Sequence, residues 1–119
     1  AHLNNGNIFY NKGLLDDAIK SYKEAIRVDP EHADAYNNLG LVLKDKGQLD
    51  EAIKEYKEAI RINHKHAGTY HNLGYALQDK GQINEAINAF ENFIRFATPQ
   101  HAGQVEKIKK VLKQLKGEI

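Results

Sequence analysis

The sequence of 119 residues contains no cysteine and only two prolines. Without cysteine the chain can form no disulfide, no thiolate metal site and no cysteine nucleophile. It also has no apolar run that approaches the roughly 18–20 residues of a membrane-spanning helix. Its N-terminus lacks the charged and apolar segments of a signal peptide. We therefore expect a cytoplasmic protein whose function involves neither thiol chemistry nor a membrane.

An excess of charge is also missing, since the formal net charge is only +1. A nearly neutral chain gives no general reason to bind nucleic acid or a membrane surface. The charge is nevertheless uneven, because residues 101–119 carry five lysines against two glutamates. With 41% apolar and 28% charged residues, the composition is that of one soluble globular domain.

What the chain does contain is a repeat with a period of 34 residues. Small, apolar and aromatic residues all recur with this step: Gly6, Gly40 and Gly74; Gly13, Gly47 and Gly81; Ala18, Ala52 and Ala86; Ile19, Ile53 and Ile87; Tyr22, Tyr56 and Phe90. Chance does not produce so many coincident series. A period of this length indicates a stack of helical supersecondary units that share one core.

Each unit of the repeat predicts a pair of amphipathic helices. In residues 33–46 apolar side chains recur with the spacing of one helical face, and Gly47 then supplies a left-handed helix end. We expect each second helix to begin at an N-cap with a short polar side chain: Asp16, Asp50 and Asn84. Pro30 and Pro99 fall in the linkers between units, where a helix must end.

The glycines inside the predicted first helices indicate how the helices pack. Gly40 and Gly74 each cost about 1 kcal/mol relative to alanine at a helix interior. Their recurrence predicts a close approach of the partner helix. Ala52 would leave room in the same way from the opposite side, and we expect it to be almost wholly buried.

The repeated positions resemble the tetratricopeptide repeat family. The run Tyr36-Asn37-Asn38-Leu39-Gly40, followed by Gly47, Ala52, Tyr56 and Ala59, is similar to the family signature of aromatic, leucine-glycine, alanine, aromatic and alanine. The resemblance covers residues 1 to about 100. It implies a right-handed superhelical solenoid whose first helices line a concave groove for peptides or partner proteins.

The predicted fold is therefore all-α, with helix-turn-helix repeats at 1–32, 33–66 and 67–100 and a capping helix at 101–119. Asn5 replaces the leucine expected before Gly6, so the first hairpin is atypical. Phe93 replaces the small residue found at this position in the other units, which predicts a different packing of the last helix. That helix has one apolar stripe, comprising Val105, Ile108, Val111, Leu112 and Leu115.

An asparagine ladder gives the strongest functional signal: Asn4, Asn38 and Asn72 occupy one position of the three first helices. A primary amide both donates and accepts, so three amides at regular spacing suit an extended peptide backbone. The ladder is similar to the groove asparagines of the repeat arm of O-linked N-acetylglucosamine transferase. The other candidate peptide-binding residues share this face: Asn7, Leu41, Lys44, His71, Tyr75 and Gln78. Alternatively, the ladder asparagines bond the neighbouring turn or face water.

A two-carboxylate clamp, as in chaperone-binding members of the family, is excluded by the charges. The resemblance would place its amides at Asn7 and Asn38 but its three cations at Leu3, Gly68 and Asn72. Without cations a bound carboxylate loses charge-assisted bonds of about 1.5–3 kcal/mol each. We therefore expect a different ligand.

Metal binding, catalysis and nucleic-acid binding have weaker support. His32, His64 and His66 lie in linkers with no obvious convergent carboxylate, so we expect solvated histidines and no metal. There is no phosphate loop or nucleophile elbow, and the acidic residues 16, 50, 51 and 85 suit helix starts, so we expect neither an enzyme nor a cofactor. The lysines of residues 107–116 lack interleaved aromatics and are interpreted as a solvated face.

These patterns predict a non-catalytic protein–protein interaction module that binds a peptide or partner segment in the concave groove. Two alternatives stay open. The first is self-association into a homo-oligomer or scaffold, through the repeat ends or the C-terminal helix. The second is a recognition arm of a longer enzyme, which would fit a chain that starts at Ala1 within a predicted helix.

Overall fold

A computed structural model of the protein describes residues 2–117. Those residues form seven α-helices and one short 3-10 helix, Pro99–His101, and none of them lies in a strand. The α-helices are α1 (His2–Asn11), α2 (Leu15–Val28), α3 (Ala33–Asp45), α4 (Leu49–Ile62), α5 (Ala67–Lys80), α6 (Ile83–Phe96) and α7 (Ala102–Leu115). The predicted all-α fold of helix pairs with a final helix is confirmed. The predicted ends at residue 1 and at residues 118–119 lie outside the described residues.

The helices group into two compact units, residues 1–64 and residues 65–119. The first unit contains the hairpin α1–α2 and the hairpin α3–α4; the second contains the hairpin α5–α6 together with α7. Each predicted repeat thus contains one hairpin, while the assignment of the whole chain to a single domain stays a prediction. In the part of the chain that the structure describes, no helix is both long and apolar enough to cross a lipid bilayer.

A left-handed glycine turns each hairpin, as the sequence predicts. Gly13, Gly47 and Gly81 have φ angles of 76°, 83° and 85°. In the second hairpin the amide of Gln48 donates to the carbonyl of Leu43 at 2.9 Å, which satisfies a carbonyl at the end of α3. Only glycine adopts this conformation without a steric cost from Cβ.

The predicted N-caps of the second helices are wrong by two positions. The N-cap residues are Leu14, Gln48 and Gln82, none of which makes a side-chain cap bond. The carbonyl of Gln48 already accepts from the amide of Ala52 at 3.0 Å, so α4 begins directly after the glycine turn. Asp16 and Asp50 therefore lie in the first turn, where a negative charge is favourable near the positive helix end.

In the first unit each hairpin closes around a tyrosine ring. A Cβ placed on Gly40 would lie 2.6 Å from Cε1 of Tyr56, and a Cβ placed on Gly6 would lie even closer to the ring of Tyr22. Both rings are buried. Ala52 is fully buried as well, which confirms the packing expected of the small residues. The rings thus lie against the backbone of the first helices.

In the second unit Phe90 takes the place of tyrosine, and Phe93 reaches toward α7. The Phe93 ring is fully buried, and its centroid lies 5.7 Å from that of His101, just ahead of α7. Ile108 and Leu112 are the buried residues of α7. Lys116 forms an ion pair with Glu91 of α6 at 2.8 Å. These contacts confirm that residues 102–115 cap the last hairpin.

Replacing Gly40 by alanine should lower the free energy of unfolding by about 1–3 kcal/mol, because the added methyl group displaces the buried Tyr56 ring. Gly103→Ala is the matched control, since a Cβ at Gly103 in α7 would meet no atom within 4 Å. It should raise the free energy of unfolding by up to about 1 kcal/mol through helix propensity. Urea unfolding followed by circular dichroism measures both values. An increase in the free energy of unfolding in both variants would contradict the close packing at Gly40.

Candidate functional site

In the first unit the candidate residues lie on α1 and α3, which are in contact. At the centre of their shared surface the Oδ1 atom of Asn7 accepts two hydrogen bonds. The hydroxyl of Tyr22 donates at 2.5 Å and Nδ2 of Asn38 donates at 3.1 Å. Because Tyr22 belongs to α2, this single acceptor joins three helices and fixes the orientation of both amides.

The same arrangement leaves polar atoms available at this surface. The side chains of Asn7 and Asn38 are half-buried. Within residues 2–117, Nδ2 of Asn7 and Oδ1 of Asn38 make no hydrogen bond. A peptide group offers one N–H donor and one C=O acceptor, so the two remaining amide atoms match it in number and type.

A second bond between α1 and α3 lies beyond the amide pair. The hydroxyl of Tyr10 donates to Oδ2 of Asp45 at 2.5 Å. Burial, together with this hydrogen bond and the Asp45 charge, raises the pKa of Tyr10 to about 12. Tyr10 therefore remains protonated at neutral pH and keeps its donor role. The sequence did not identify Tyr10 as part of this surface.

The position of Asn7 in the repeat has a different chemistry in each hairpin. In the second hairpin it is Leu41, and the buried hydroxyl of Tyr56 has no hydrogen-bond partner among the described residues. Burial raises the pKa of Tyr56, and the nearby Asp45 charge adds to this effect. In the third hairpin the position is Tyr75, whose ring packs edge-on to Phe90 with centroids 5.1 Å apart.

The other candidates of the first unit surround the amide pair. Leu41 and Lys44 are half-buried on α3, whereas Asn4 is exposed on α1 and its side chain makes no hydrogen bond to the other described residues. Of the predicted ladder, Asn38 is held by Asn7 of the neighbouring helix α1, a contact that the sequence analysis did not predict. Its role in peptide binding stays a prediction.

In the second unit the candidates lie along α5: His71, Asn72, Tyr75 and Gln78, all half-buried. The His71 ring packs edge-on to Phe93 and to Tyr75, with centroid distances of 5.0 Å and 5.1 Å. His71 and Tyr75 therefore form an aromatic surface that rests on buried phenylalanines. This surface is apolar in character, in contrast to the amide pair of the first unit.

His66, which the sequence analysis assigned to solvent, and His101 both have structural roles. Nδ1 of His66 accepts from the amide of Thr69 at 3.2 Å and thereby caps α5. Nδ1 of His101 accepts from the amide of Thr98 at 3.1 Å in a capping box ahead of α7. For the second cap Thr98, three residues before His101, is the sequence signal, because a threonine N-cap begins a capping box. Residues 2–117 contain no group of three or more side chains placed to hold a metal ion.

Comparison with known proteins supports the repeat assignment. The family model described as "TPR repeat" matches residues 6–47 and 42–81, and the one described as "Tetratricopeptide repeat" matches residues 67–97. A search of curated protein sequences finds no match.

Several solved structures share the fold. The Yersinia enterocolitica type III secretion chaperone SycD, in complex with a peptide of the translocator YopD, has a TM-score of 0.92 at 20% identity, covering 97% of this chain and 89% of that chain. The complex of the TPR2B domain of yeast Sti1 with pHsp70 has a TM-score of 0.86 at 20% identity, covering 95% and 91%. The second TPR domain of human RPAP3, in complex with the HSP70 peptide SGPTIEEVD, has a TM-score of 0.78 at 25% identity, covering 91% and 92%.

Removing the two tyrosine hydroxyls should have different effects on stability. Tyr22→Phe should lower the free energy of unfolding by about 0.5–1.5 kcal/mol, because Asn7 loses a donor. Tyr56→Phe should be neutral or stabilising, because it removes a buried hydroxyl that has no partner in residues 2–117. Urea unfolding of the two variants measures the difference.

A third variant tests the same explanation in the opposite direction. Leu41→Asn places an amide where Asn7 stands in the first hairpin and should supply a partner for the Tyr56 hydroxyl. The change in the free energy of unfolding that Leu41→Asn causes should be more favourable with Tyr56 present than in the Tyr56→Phe background. A double-mutant cycle measures this difference. An equal loss of unfolding free energy in Tyr22→Phe and Tyr56→Phe would contradict the hydrogen-bond assignment.

Proposed function

The chain belongs to the tetratricopeptide repeat family, and we propose that it is a non-catalytic interaction module that binds a peptide segment of a partner protein on its first helices. Solved structures with the same fold support peptide binding, since the structures of SycD, Sti1 and RPAP3 contain a bound peptide or an Hsp70 partner. Because these relatives are at most 25% identical, the residues of this chain carry the rest of the proposal.

The amide pair Asn7–Asn38 is the observation that carries the proposal. Tyr22 fixes Asn7, and Asn7 in turn fixes Asn38, so the pair is oriented before a ligand arrives. Preorganised groups lose little conformational entropy on binding. A donor on Asn7 and an acceptor on Asn38 then hold the backbone of a peptide without recognising its side chains.

The second unit carries a candidate surface of its own. His71 and Tyr75 present ring surfaces that are supported from below by Phe93 and Phe90. Aromatic rings bury a large apolar area and bind both apolar side chains and the flat face of peptide groups. We infer that this surface binds an apolar or aromatic side chain.

The charge of the candidate residues excludes one ligand class of the relatives. The human RPAP3 domain is solved with the acidic peptide SGPTIEEVD. In this chain the positions that the family resemblance gives to carboxylate-binding cations are Leu3, Gly68 and Asn72. An acidic C-terminus would be desolvated here without a charged partner, which costs binding free energy. The proposed ligand is therefore an internal segment with its backbone exposed.

The double variant Asn7→Ala/Asn38→Ala should weaken peptide binding about 5- to 150-fold, because each lost hydrogen bond to the peptide contributes about 0.5–1.5 kcal/mol. The probe is a peptide selected on the intact chain from a random library displayed on phage, then synthesised and titrated by calorimetry. N-methylation of its backbone at the contacting positions should weaken binding as strongly, while exchanging neighbouring side chains should not. SGPTIEEVD should show no binding at the same concentrations.

Asn88→Ala is the matched control, because Asn88 is an exposed asparagine on α6, a second helix. It should leave the affinity unchanged. Circular dichroism checks that the double variant stays folded, since Asn38 also donates to Asn7. Unchanged affinity of the folded double variant would rule out backbone recognition through these amides. Tight binding of SGPTIEEVD would instead show that the ligand is an acidic terminus.

A further inference from the structure

A carboxylate without a countercharge lies at one end of the surface that α1 and α3 share. Asp45 is exposed, and its Oδ2 atom accepts the hydrogen bond from the hydroxyl of Tyr10 at 2.5 Å. Among residues 2–117 this hydroxyl is the only hydrogen-bond partner of the carboxylate, which forms no ion pair there. The adjacent Lys46 pairs with Asp16 of α2 instead. The second oxygen of Asp45, Oδ1, therefore remains open to a donor from outside the chain.

The place of Asp45 in its helix makes the missing cation more significant. Asp45 is the last residue of α3, where the backbone carbonyls give the helix end a partial negative charge. A carboxylate is unfavourable at such an end, and a cation is favourable. The last turns of α2 and α4 follow this rule with Arg27 and Arg61. A positive charge bound at Asp45 would thus relieve an unfavourable interaction within α3.

Tyr10 orients the carboxylate without neutralising it. One period later the repeat has Lys44 and Asp79 at the positions of Tyr10 and Asp45, so a lysine is compatible with the first of these positions. In α1 a tyrosine stands there, and it stays protonated at neutral pH because its pKa is raised to about 12. A neutral hydroxyl supplies a hydrogen bond to Oδ2 but no countercharge.

The side chain beneath Asp45 is neutral as well. Tyr56 is fully buried, and its hydroxyl has no hydrogen-bond partner among the described residues. Asp45 and Tyr10 both add to the burial that raises the pKa of Tyr56, so the three side chains lie close together. This cluster from α1, α3 and α4 carries one negative charge and no positive charge. Beside a buried ring the local dielectric constant is lower than in bulk water, which strengthens the attraction for a cation.

The carboxylate lies in line with the amide pair. The bonds Asn7–Asn38 and Tyr10–Asp45 both join α1 to α3, and we call the strip that they define, with the half-buried Leu41 between them, the α1–α3 seam. Asp45 follows Asn38 by seven residues. Seven residues make about two helical turns, so both side chains lie on one side of α3 about 10 Å apart. An extended peptide covers about 10 Å with three residues.

We propose that the α1–α3 seam selects peptide segments with a lysine or arginine about three residues from the peptide group that the amide pair holds. The cationic side chain donates to Oδ1 of Asp45, while Tyr10 holds Oδ2. It lies beyond the side chains adjacent to the held peptide group, so backbone recognition and charge selection act at separate places. Because the amide pair sets the position of the ligand, this assignment rests on the proposed function. The selected segment is basic, opposite in charge to SGPTIEEVD.

The probe is a set of peptides from a random library displayed on phage, selected on the intact chain. Counter-selection on the variant Asn7→Ala/Asn38→Ala removes peptides that do not use the amide pair. The remaining peptides should share a lysine or arginine about three residues from the peptide bond whose N-methylation weakens binding. Calorimetric titration of one such peptide gives the dissociation constants of the chain and of its variants.

Asp45→Asn should weaken binding about two- to fivefold, because it removes the charge but keeps an acceptor for Tyr10. Replacing the basic residue of the peptide by norleucine should weaken binding equally. The two changes together should cost no more than one alone, which a double-mutant cycle measures. Asp45→Lys should bind the peptide better when its basic residue is replaced by glutamate.

Asp17→Asn is the matched control, because it changes the net charge equally at an exposed aspartate of α2. It should leave the affinity unchanged. Tyr10→Phe tests the positioning of the carboxylate: it should weaken binding of the basic peptide about twofold and leave binding of the norleucine peptide unchanged. Equal weakening of both peptides would instead indicate a general structural role of Tyr10 and contradict its positioning role.

A shared basic residue, together with coupling between that residue and Asp45, would support the proposal. Selected peptides without a common basic residue, or additive effects of Asp45→Asn and norleucine, would overturn it and leave the proposed function intact. If no peptide survives the counter-selection, the proposed function and this assignment are both wrong. Circular dichroism confirms that the variants remain folded.

Discussion

Each hairpin depends on a contact between a glycine inside its first helix and an aromatic ring from its second helix. Because Gly6, Gly40 and Gly74 have no Cβ, the rings of Tyr22, Tyr56 and Phe90 lie directly against the backbone of the first helix. The candidate site follows from this geometry. The Tyr22 ring passes so close to α1 at Gly6 that its hydroxyl reaches Asn7 and fixes the amide there. The packing that holds the hairpin together therefore also orients a polar group at its surface.

The fold could be predicted because the backbone of each unit requires particular residue types at fixed positions of the repeat. A left-handed turn needs Gly47, and a close ring needs Gly40, so both requirements appear as residues at fixed positions. The start of the second helices was not predictable from the same kind of reasoning. The carbonyl of Gln48 begins α4 directly after the turn, and a backbone carbonyl has no residue type that marks it. Asp50 suggested a cap and instead lies in the first helical turn.

The candidate site was only partly predictable, because its contacts join residues at different positions of the repeat. The ladder compares equal positions of the units, and it found Asn38. The hydrogen bond of Asn38, however, goes to Asn7, a residue at a different repeat position. Tyr10 and Asp45 also join different positions. Such pairs depend on the stagger between neighbouring hairpins, which a period of 34 residues does not specify. The structure supplies that stagger within the first unit.

In α1 only Gly6 is buried, whereas five residues of α3 are buried, so the two first helices of this unit differ in their resistance to local opening. A helix with so little buried surface depends on its contacts with α2 and α3. Its amide hydrogens therefore exchange with solvent sooner than those of α3, whose apolar face is covered. Any ligand that closes on α1 supplies part of the free energy that orders this helix. The affinity for such a ligand and the local stability of α1 are consequently linked, so that a change in one is accompanied by a change in the other.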